Sequence, residues 1–343
     1  LKASIMKCKL TNKEIKPFMS FGKMPLANGF LSKDEFESEY FYEMEVGFSE
    51  NLSLFQLNDH PKPQEMFNKK YPFFTGSSKF MKLHFKKYAD WIKKKNLKSN
   101  SKLIEIGSND GTFLSNFKNS SIDYIGFEPS ESVARKAKEN NIKTINSFFN
   151  SETIKDLKNY IHNTDVICAS NVICHIPDLK NLILSVNNLL SKRGFFIFEE
   201  PYMGSMFDKT TYDQIYDEHI FMFSITSVKK IFDLYNFDLI DVLPQTTHGG
   251  SMRYIIARKK EYAIKQSVTN GLLTESKNNL DKLDSCLTFK ENCEISKKKI
   301  TNRLRKFKSE GKKICGYAAT SKSTTILNYC NLDKNIINFI CDT

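Results

Sequence analysis

The chain has 343 residues, enough for two or three domains, and 40% of them are hydrophobic, which suits a folded protein. Its net charge is +12, but the lysines are spread along the chain, so the charge points to a phosphate-bearing small substrate before a nucleic acid. No apolar run nears the roughly 20 residues that span a bilayer, Leu1–Met6 carries no signal-peptide core, and eight scattered cysteines without a C-x-x-C pair read as buried free thiols of a reducing, cytoplasmic compartment.

Residues 1–70 read as a small unit of their own, made of short β-like pieces and loops around Phe21-Gly22-Lys23-Met24-Pro25-Leu26-Ala27-Asn28-Gly29-Phe30. From Lys79 to Lys95 the apolar residues recur with helical period, and Lys93-Lys94-Lys95 marks a solvated face.

The core begins at Ser101. Leu103-Ile104-Glu105-Ile106 is short and β-rich, a buried strand; Gly107-Ser108-Asn109-Asp110-Gly111 turns the chain; Thr112-Phe113-Leu114 predicts the start of a helix capped by Asp110 or Thr112. Strand, glycine turn and helix start make a nucleotide-cofactor site, because glycine lets backbone approach a ligand and free amides attract negative charge. A dinucleotide fingerprint needs a middle glycine where Asn109 stands, which blocks a close pyrophosphate. Glu105 beside the turn suits a cofactor with a cationic amino-acid end, S-adenosylmethionine (SAM). Roughly twenty residues on, Tyr124 to Ser130 predicts a second strand ending in Glu128, placed to accept hydrogen bonds from ribose hydroxyls. Any one of these residues alone is an ordinary turn or surface acid; the frame of Glu105, Gly107, Gly111 and Glu128 is more specific.

A helix over Glu131–Asn140, a third strand over Lys143–Phe149 with Ser147 and Phe148 beside an adenine, and a fourth over Thr164–Asn171 follow. Then come a helix over Leu179–Leu190, a fifth strand over Gly194–Glu199, and two antiparallel strands, Asp238–Leu243 and Arg253–Arg258. The alternation implies an α/β fold with an open, mostly parallel sheet, and ligands in such sheets lie beyond the carboxyl ends of the strands. Glu105, Glu128, Asn171 and Glu199-Glu200 fall at such ends. Ala263 to about Glu310 reads as a charged helical connector. Ile314–Ala319, a helix to Tyr329 and Asn338–Asp342 then form a strand-helix-strand too small for its own core, so it packs on the rest or continues past Thr343.

Tyr216-Asp217-Glu218-His219 is the densest chemical cluster: a phenol, an orienting carboxylate and an imidazole suited to general-base work. Taken singly, His219 could equally cap or pack a helix. His175 and His248 follow other strand ends, and three of the six histidines near one rim favour function.

The chain resembles the SAM-dependent sugar C-methyltransferases that act on nucleotide-linked 4-keto-deoxysugars. The resemblance rests on ordered matches: Gly22–Asn28, Tyr71–Ser78, Glu105–Gly111, Asn171–Asp178, Tyr216–His219, His248–Arg253 and Gly316–Lys322. It implies a class I methyltransferase core with a Rossmann-like sheet over residues 71–260, after a small N-terminal domain of degenerate zinc-binding type over 1–70. A connector over 261–310 and the start of a C-terminal Rossmann-like domain over 311–343 complete it. It implies His219 as the base that removes the proton beside the 4-keto group, with in-line methyl transfer following, supported by Tyr216, Glu218, His175 and Tyr71. SAM would lie against Glu105, Gly107, Asn109, Gly111, Glu128, Ser147, Phe148 and Asn171, and the nucleotide sugar against His248, Gly249, Ser251 and Lys322. A ketone stabilises a neighbouring carbanion only if donors meet its oxygen.

The family's zinc site uses two C-x-x-C pairs. Here Cys8 stands alone, with Thr11, Ser49 and Leu52 at the other three positions, so the expectation is a domain that folds without zinc. Competing readings are O-methylation of a sugar or another small metabolite, a catalytically inactive homologue that binds SAM and nucleotide sugar, and nucleic-acid methylation, which would need a contiguous basic groove. No nucleic-acid or membrane partner is expected, and the oligomeric state is open.

Overall fold

The computed structural model describes residues 5–69 and 71–342; of the stretch read for an export signal, residues 1–4 lie outside it, as does Thr343. The chain opens with antiparallel strands β1 (Lys16–Pro25), β2 (Phe41–Ser49) and β3 (Leu54–Leu57), in which Phe21, Met24, Met44 and Val46 point inward. A single helical turn, α1 (Pro63–Met66), precedes α2 (Lys79–Asn96). Ser78 caps α2 by accepting from the Met81 amide at 3.2 Å, and the helix buries Phe85, Tyr88, Ala89 and Ile92.

The core runs β4 (Lys102–Ile106), β5 (Asp123–Phe127), α3 (Glu131–Glu139), β6 (Thr144–Ile145), β7 (Thr164–Ser170), α4 (Leu179–Leu189) and β8 (Leu190–Pro201). It continues with α5 (Met203–Lys209), β9 (Phe221–Met222), α6 (Ile225–Asp233), β10 (Phe237–Gln245) and β11 (Ser251–Arg258). Seven strands form one sheet in the order β10-β11-β8-β7-β4-β5-β6, parallel from β8 to β6, with β10 and β11 antiparallel. Both faces are covered, so neighbouring residues of one strand serve different cores: Leu103 packs toward α2, Ile104 toward α4 and α6. The chain leaves β4 toward β5 on one side and reaches β7 on the other, which opens a crevice at the carboxyl ends there.

The remainder is α7 (Gln266–Lys277), α8 (Leu283–Ser309), β12 (Cys315–Tyr317), α9 (Ser321–Tyr329) and β13 (Phe339–Cys341), the two strands being parallel. This last unit borrows a core: Tyr329, Cys330 and Leu332 join the apolar cluster of β1 and β2, and the Thr325 hydroxyl donates to the Ile215 carbonyl at 2.6 Å.

Several local expectations change. The helix expected from Thr112 is a 3-10 turn, Leu114–Phe117. The side chains of Ser115, Asn116 and Ser120 hydrogen-bond the carbonyls of Thr112, Phe113 and Phe117, competing with helical bonding. The glycine turn therefore leads into no α-helix, and Asp110 caps only a turn, accepting from the Thr112 hydroxyl at 2.6 Å. The third strand shrinks to Thr144–Ile145. The helical connector is two helices, α7 and α8. The sheet of the first seventy residues is completed by β9, which pairs with β3. Among the described residues no helix is long and apolar enough to cross a membrane.

Candidate active site

A cavity of about 1030 Å³ lies beyond the carboxyl ends of β4, β5 and β7. Gly107, Asn109, Glu128, Phe148 and Asn171 line one part of it. Tyr71, His175, Tyr216, Glu218 and His219 line another, with His248 and Lys322 at its edge toward α9. Two clusters far apart in sequence thus share one hollow.

Gly107 has φ +69°, and a Cβ there would sit 2.3 Å from Val172 Cγ2, so the turn requires glycine twice over. Asn109 is also left-handed, at φ +48°. Its amide nitrogen donates to Glu128 Oε2 at 3.0 Å, and its side chain accepts from Thr75 N at 2.9 Å and donates to the Phe73 carbonyl at 3.1 Å. Asn109 therefore bolts the segment carrying Tyr71 over the glycine turn. Glu128 is held by Asn109 N and, at 2.7 Å, by Ser130 N; burial raises its pKa and these bonds oppose the rise.

Glu105 is buried on the α2 side of the sheet and does not line the cavity. Burial first, then the nearby Asp110 and Glu128 charges, hold its pKa well above the carboxylate range, and Oε2 has no partner. Asn171 Oδ1 is a second buried oxygen without a partner, in the cavity wall. Gly111 faces the opposite side, where a Cβ would meet Ile142 at 2.8 Å, and Ser147 stays out of the lining.

In the other half, His219 is buried with both ring nitrogens engaged. Nδ1–H donates to the Gln214 carbonyl at 2.7 Å, which leaves Nε2 as the acceptor of the Tyr216 hydroxyl at 2.8 Å. Burial, and then His175, push the His219 pKa well below its usual value, so the ring is neutral. Tyr216 keeps its proton, because burial and Glu218 raise its pKa. The His175 ring stacks 5.2 Å from His219 and 5.5 Å from Phe67, with Nε2 unpartnered and burial lowering its pKa to about 3. Tyr71 hydrogen-bonds Glu218, whose pKa is pushed up to about 8 by burial and Asp217. The pair can take a proton at His219 Nε2 and offer donors to a developing negative charge, the capabilities of a general base with electrophilic support.

Distant elements hold this loop. Leu57 N donates to the Ile220 carbonyl at 2.8 Å, and Ala27 N to Asp217 Oδ2 at 3.3 Å. Glu200 Oε1 accepts from the amides of Val172 (2.9 Å), Ile173 (2.6 Å) and Cys174 (3.3 Å), which fixes the turn bearing His175. Glu199 pairs with Arg253 and, at 2.7 Å, with His84, and the Arg253 guanidinium lies 3.8 Å over the Tyr88 ring. Both acids at the end of β8 are thus supports outside the cavity lining. Gly249 and Ser251 also lie outside it; the Ser251 hydroxyl donates to the Thr247 carbonyl at 3.0 Å. Sequence reasoning missed Gln214, which bridges His219 and His248 through its carbonyl and its side-chain amide, and gave Asn28 no role. Nothing in a single sequence signals Gln214; Asn28 sits inside a stretch already singled out.

Known families match the chain in three consecutive pieces: a zinc binding domain over residues 8–67, a methyltransferase domain over 80–242 and a C-methyltransferase C-terminal domain over 246–343. Among curated proteins it is 25% identical over 328 residues to the C-methyltransferase NovU of Streptomyces niveus, across 95% of this chain and 78% of that one. Solved structures with partial similarity include the PH0226 protein of Pyrococcus horikoshii (16% identity, TM-score 0.44, 55% of this chain and 95% of that one). Another is the plantazolicin methyltransferase BpumL in complex with SAH (12% identity, TM-score 0.41, 52% and 83%).

Two features of the cavity wall fit SAM: a partnerless buried oxygen on Asn171, and Glu128 preset by two amides; Glu105, turned to the α2 side, does not reach the hollow as expected from the sequence. They do not fit zinc in the first domain. Cys8, the sole cysteine of residues 8–67, is buried in one apolar cluster with Met6, Ile15, Leu52 and Leu54. The neighbouring backbone is clamped by the buried Gln56 side chain, which accepts from Lys9 N at 3.0 Å and donates to the Lys7 carbonyl at 2.9 Å.

Proposed function

We propose, on the premise that this chain belongs to the family of SAM-dependent C-methyltransferases, that it methylates the carbon beside the ketone of a nucleotide-linked 4-keto-deoxysugar. Bound beside Gly107 and Glu128, SAM supplies an electrophilic methyl carbon. His219 Nε2 takes the α-proton, with Tyr216 moving off that nitrogen or passing the proton through its hydroxyl. Tyr216, once off that nitrogen, and the unpartnered His175 Nε2, in the tautomer that protonates it, are the donors available to the ketone oxygen as it becomes an enolate, while Tyr71 donates to Glu218. The observation that carries the reading is His219, with Nε2 accepting from Tyr216 in the same hollow that Gly107 and Glu128 line. Lys322 and the N-terminal end of α9, at the cavity edge, suit a diphosphate.

The test incubates the protein with SAM and a panel of nucleotide 4-keto-deoxysugars in deuterated water, reading product mass and exchange of the α-proton. Expected is the gain of one methyl on carbon, with exchange that proceeds without SAM. Methylation of a hydroxyl with no exchange favours the O-methyl reading, in which His219 deprotonates an oxygen; no SAM binding at all overturns both.

A further inference from the structure

Asn28 lies at one end of a chain of contacts that no motif announces. Its side-chain Nδ2 donates to Glu218 Oε1, and its Oδ1 accepts from the Ser321 hydroxyl at 2.9 Å. Glu218 is 190 residues away in sequence and Ser321 is 293. Next to it, Ala27 N holds Asp217, so two successive residues grip both carboxylates of the catalytic loop. An amide is the one side chain of this size with a donor arm and an acceptor arm on one rigid plane; aspartate would present two acceptors to Glu218. Ser321 opens α9, and with Asn28 it lines the cavity.

We propose that Asn28 is a positioning residue for the methyl-transfer reaction, and that the chain Ser321–Asn28–Glu218 couples the seating of the C-terminal unit to the geometry of the catalytic loop. The inference rests on the reading of His219 as the base and of Glu218 as a support of its site. Asn28 touches no reacting atom; it acts through Glu218, and Glu218 through Tyr71. The titratable groups facing Glu218 are Asp217, Tyr71, Tyr216 and Cys174. Burial and then Asp217 raise its pKa, while the bonds from Asn28 and Tyr71 lower it.

The experiment compares the full chain with Asn28→Ala, Asn28→Asp, Ser321→Ala and the double variant Asn28→Ala/Ser321→Ala. For Asn28→Ala, kcat falls about tenfold to a hundredfold, the scale of leaving a buried carboxyl oxygen without its donor, with SAM affinity little changed. Asn28→Asp falls at least as far. Ser321→Ala loses roughly threefold to tenfold alone and nothing further in the Asn28→Ala background, because both act through one path. If the Ser321→Ala loss persists undiminished in the double variant, the serine acts directly on substrate and the coupling is overturned; an unchanged kcat in Asn28→Ala overturns the positioning role.

Should the wild type methylate no nucleotide sugar, that reading fails by itself, and the coupling is judged by thermal stability against pH. A carboxyl whose folded pKa is raised from 4.5 to about 8 contributes most stability at low pH, and the contribution is lost as pH climbs through that window. Removing the Asn28 donor raises the folded value further, so the decline extends upward by about one pH unit. Ser321→Ala adds no extension in the Asn28→Ala background. No extension in Asn28→Ala refutes the coupling.

Discussion

Gly107→Ala is the sharpest test of the glycine turn proposed to hold SAM. The position has φ +69°, where an L side chain costs about 1–2 kcal/mol. The new Cβ would lie 2.3 Å from Val172 Cγ2 and 2.9 Å from Cγ1, far inside contact distance. Val172 cannot retreat as a unit, because Glu200 holds its amide at 2.9 Å and the next at 2.6 Å. Its β-branched side chain has few alternative rotamers. Overpacking of this kind costs about 1–3 kcal/mol, so the total is roughly 2–5 kcal/mol. Thermal denaturation and calorimetric titration with SAM measure the two consequences: a melting point lowered by several degrees, and affinity weakened at least about tenfold as Val172 is pushed into the cavity. The double variant Gly107→Ala/Val172→Ala separates the causes. Relative to Val172→Ala alone it loses the clash with both Cγ atoms and keeps the backbone part, about 1–2 kcal/mol, with a 3.2 Å contact to the remaining Cβ. A Gly107→Ala protein that melts within about 0.5 kcal/mol of the wild type and binds SAM unchanged would refute the steric reasoning.

Three further outcomes are expected. His219→Gln loses about 10²–10⁴ in kcat, with α-proton exchange in deuterated water slowed alike and SAM affinity kept; exchange at the wild-type rate would remove His219 as the base. Arg253→Met strips Glu199 of its buried partner and costs about 3–5 kcal/mol by denaturant unfolding, whereas a loss under 1 kcal/mol would mean His84 alone neutralises the acid. Elemental analysis finds no stoichiometric zinc that depends on the first domain, since an apolar cluster and Gln56 hold the region of Cys8; one zinc per chain that Cys8→Ala removes would refute that account.

The strand and glycine turn beside the hollow were legible because their signals are mostly local. Gly107 needs glycine for a reason contained in its own φ, although its closeness to Val172 beyond β7 is tertiary, and the spacing from Glu105 to Glu128 follows from one strand-turn-strand unit. The same local reasoning failed at Thr112, where serine and asparagine side chains took the carbonyls a helix needs. It failed again at Gly111, whose closeness to Ile142 is a matter of packing on the far side of the turn.

By itself, then, the sequence determined the parallel core, the glycine turn and the identity of the Tyr-Asp-Glu-His loop, since periodicity, turn chemistry and titratable side chains are properties of adjacent residues. Tertiary structure alone decided that the loop faces the turn across one hollow. That depends on β3 pairing with β9, on Leu57 holding Ile220, and on Asn28 meeting Glu218 and Ser321 from hundreds of residues away. Such contacts exist only after sheets close and cores form, and no window of neighbouring residues encodes them.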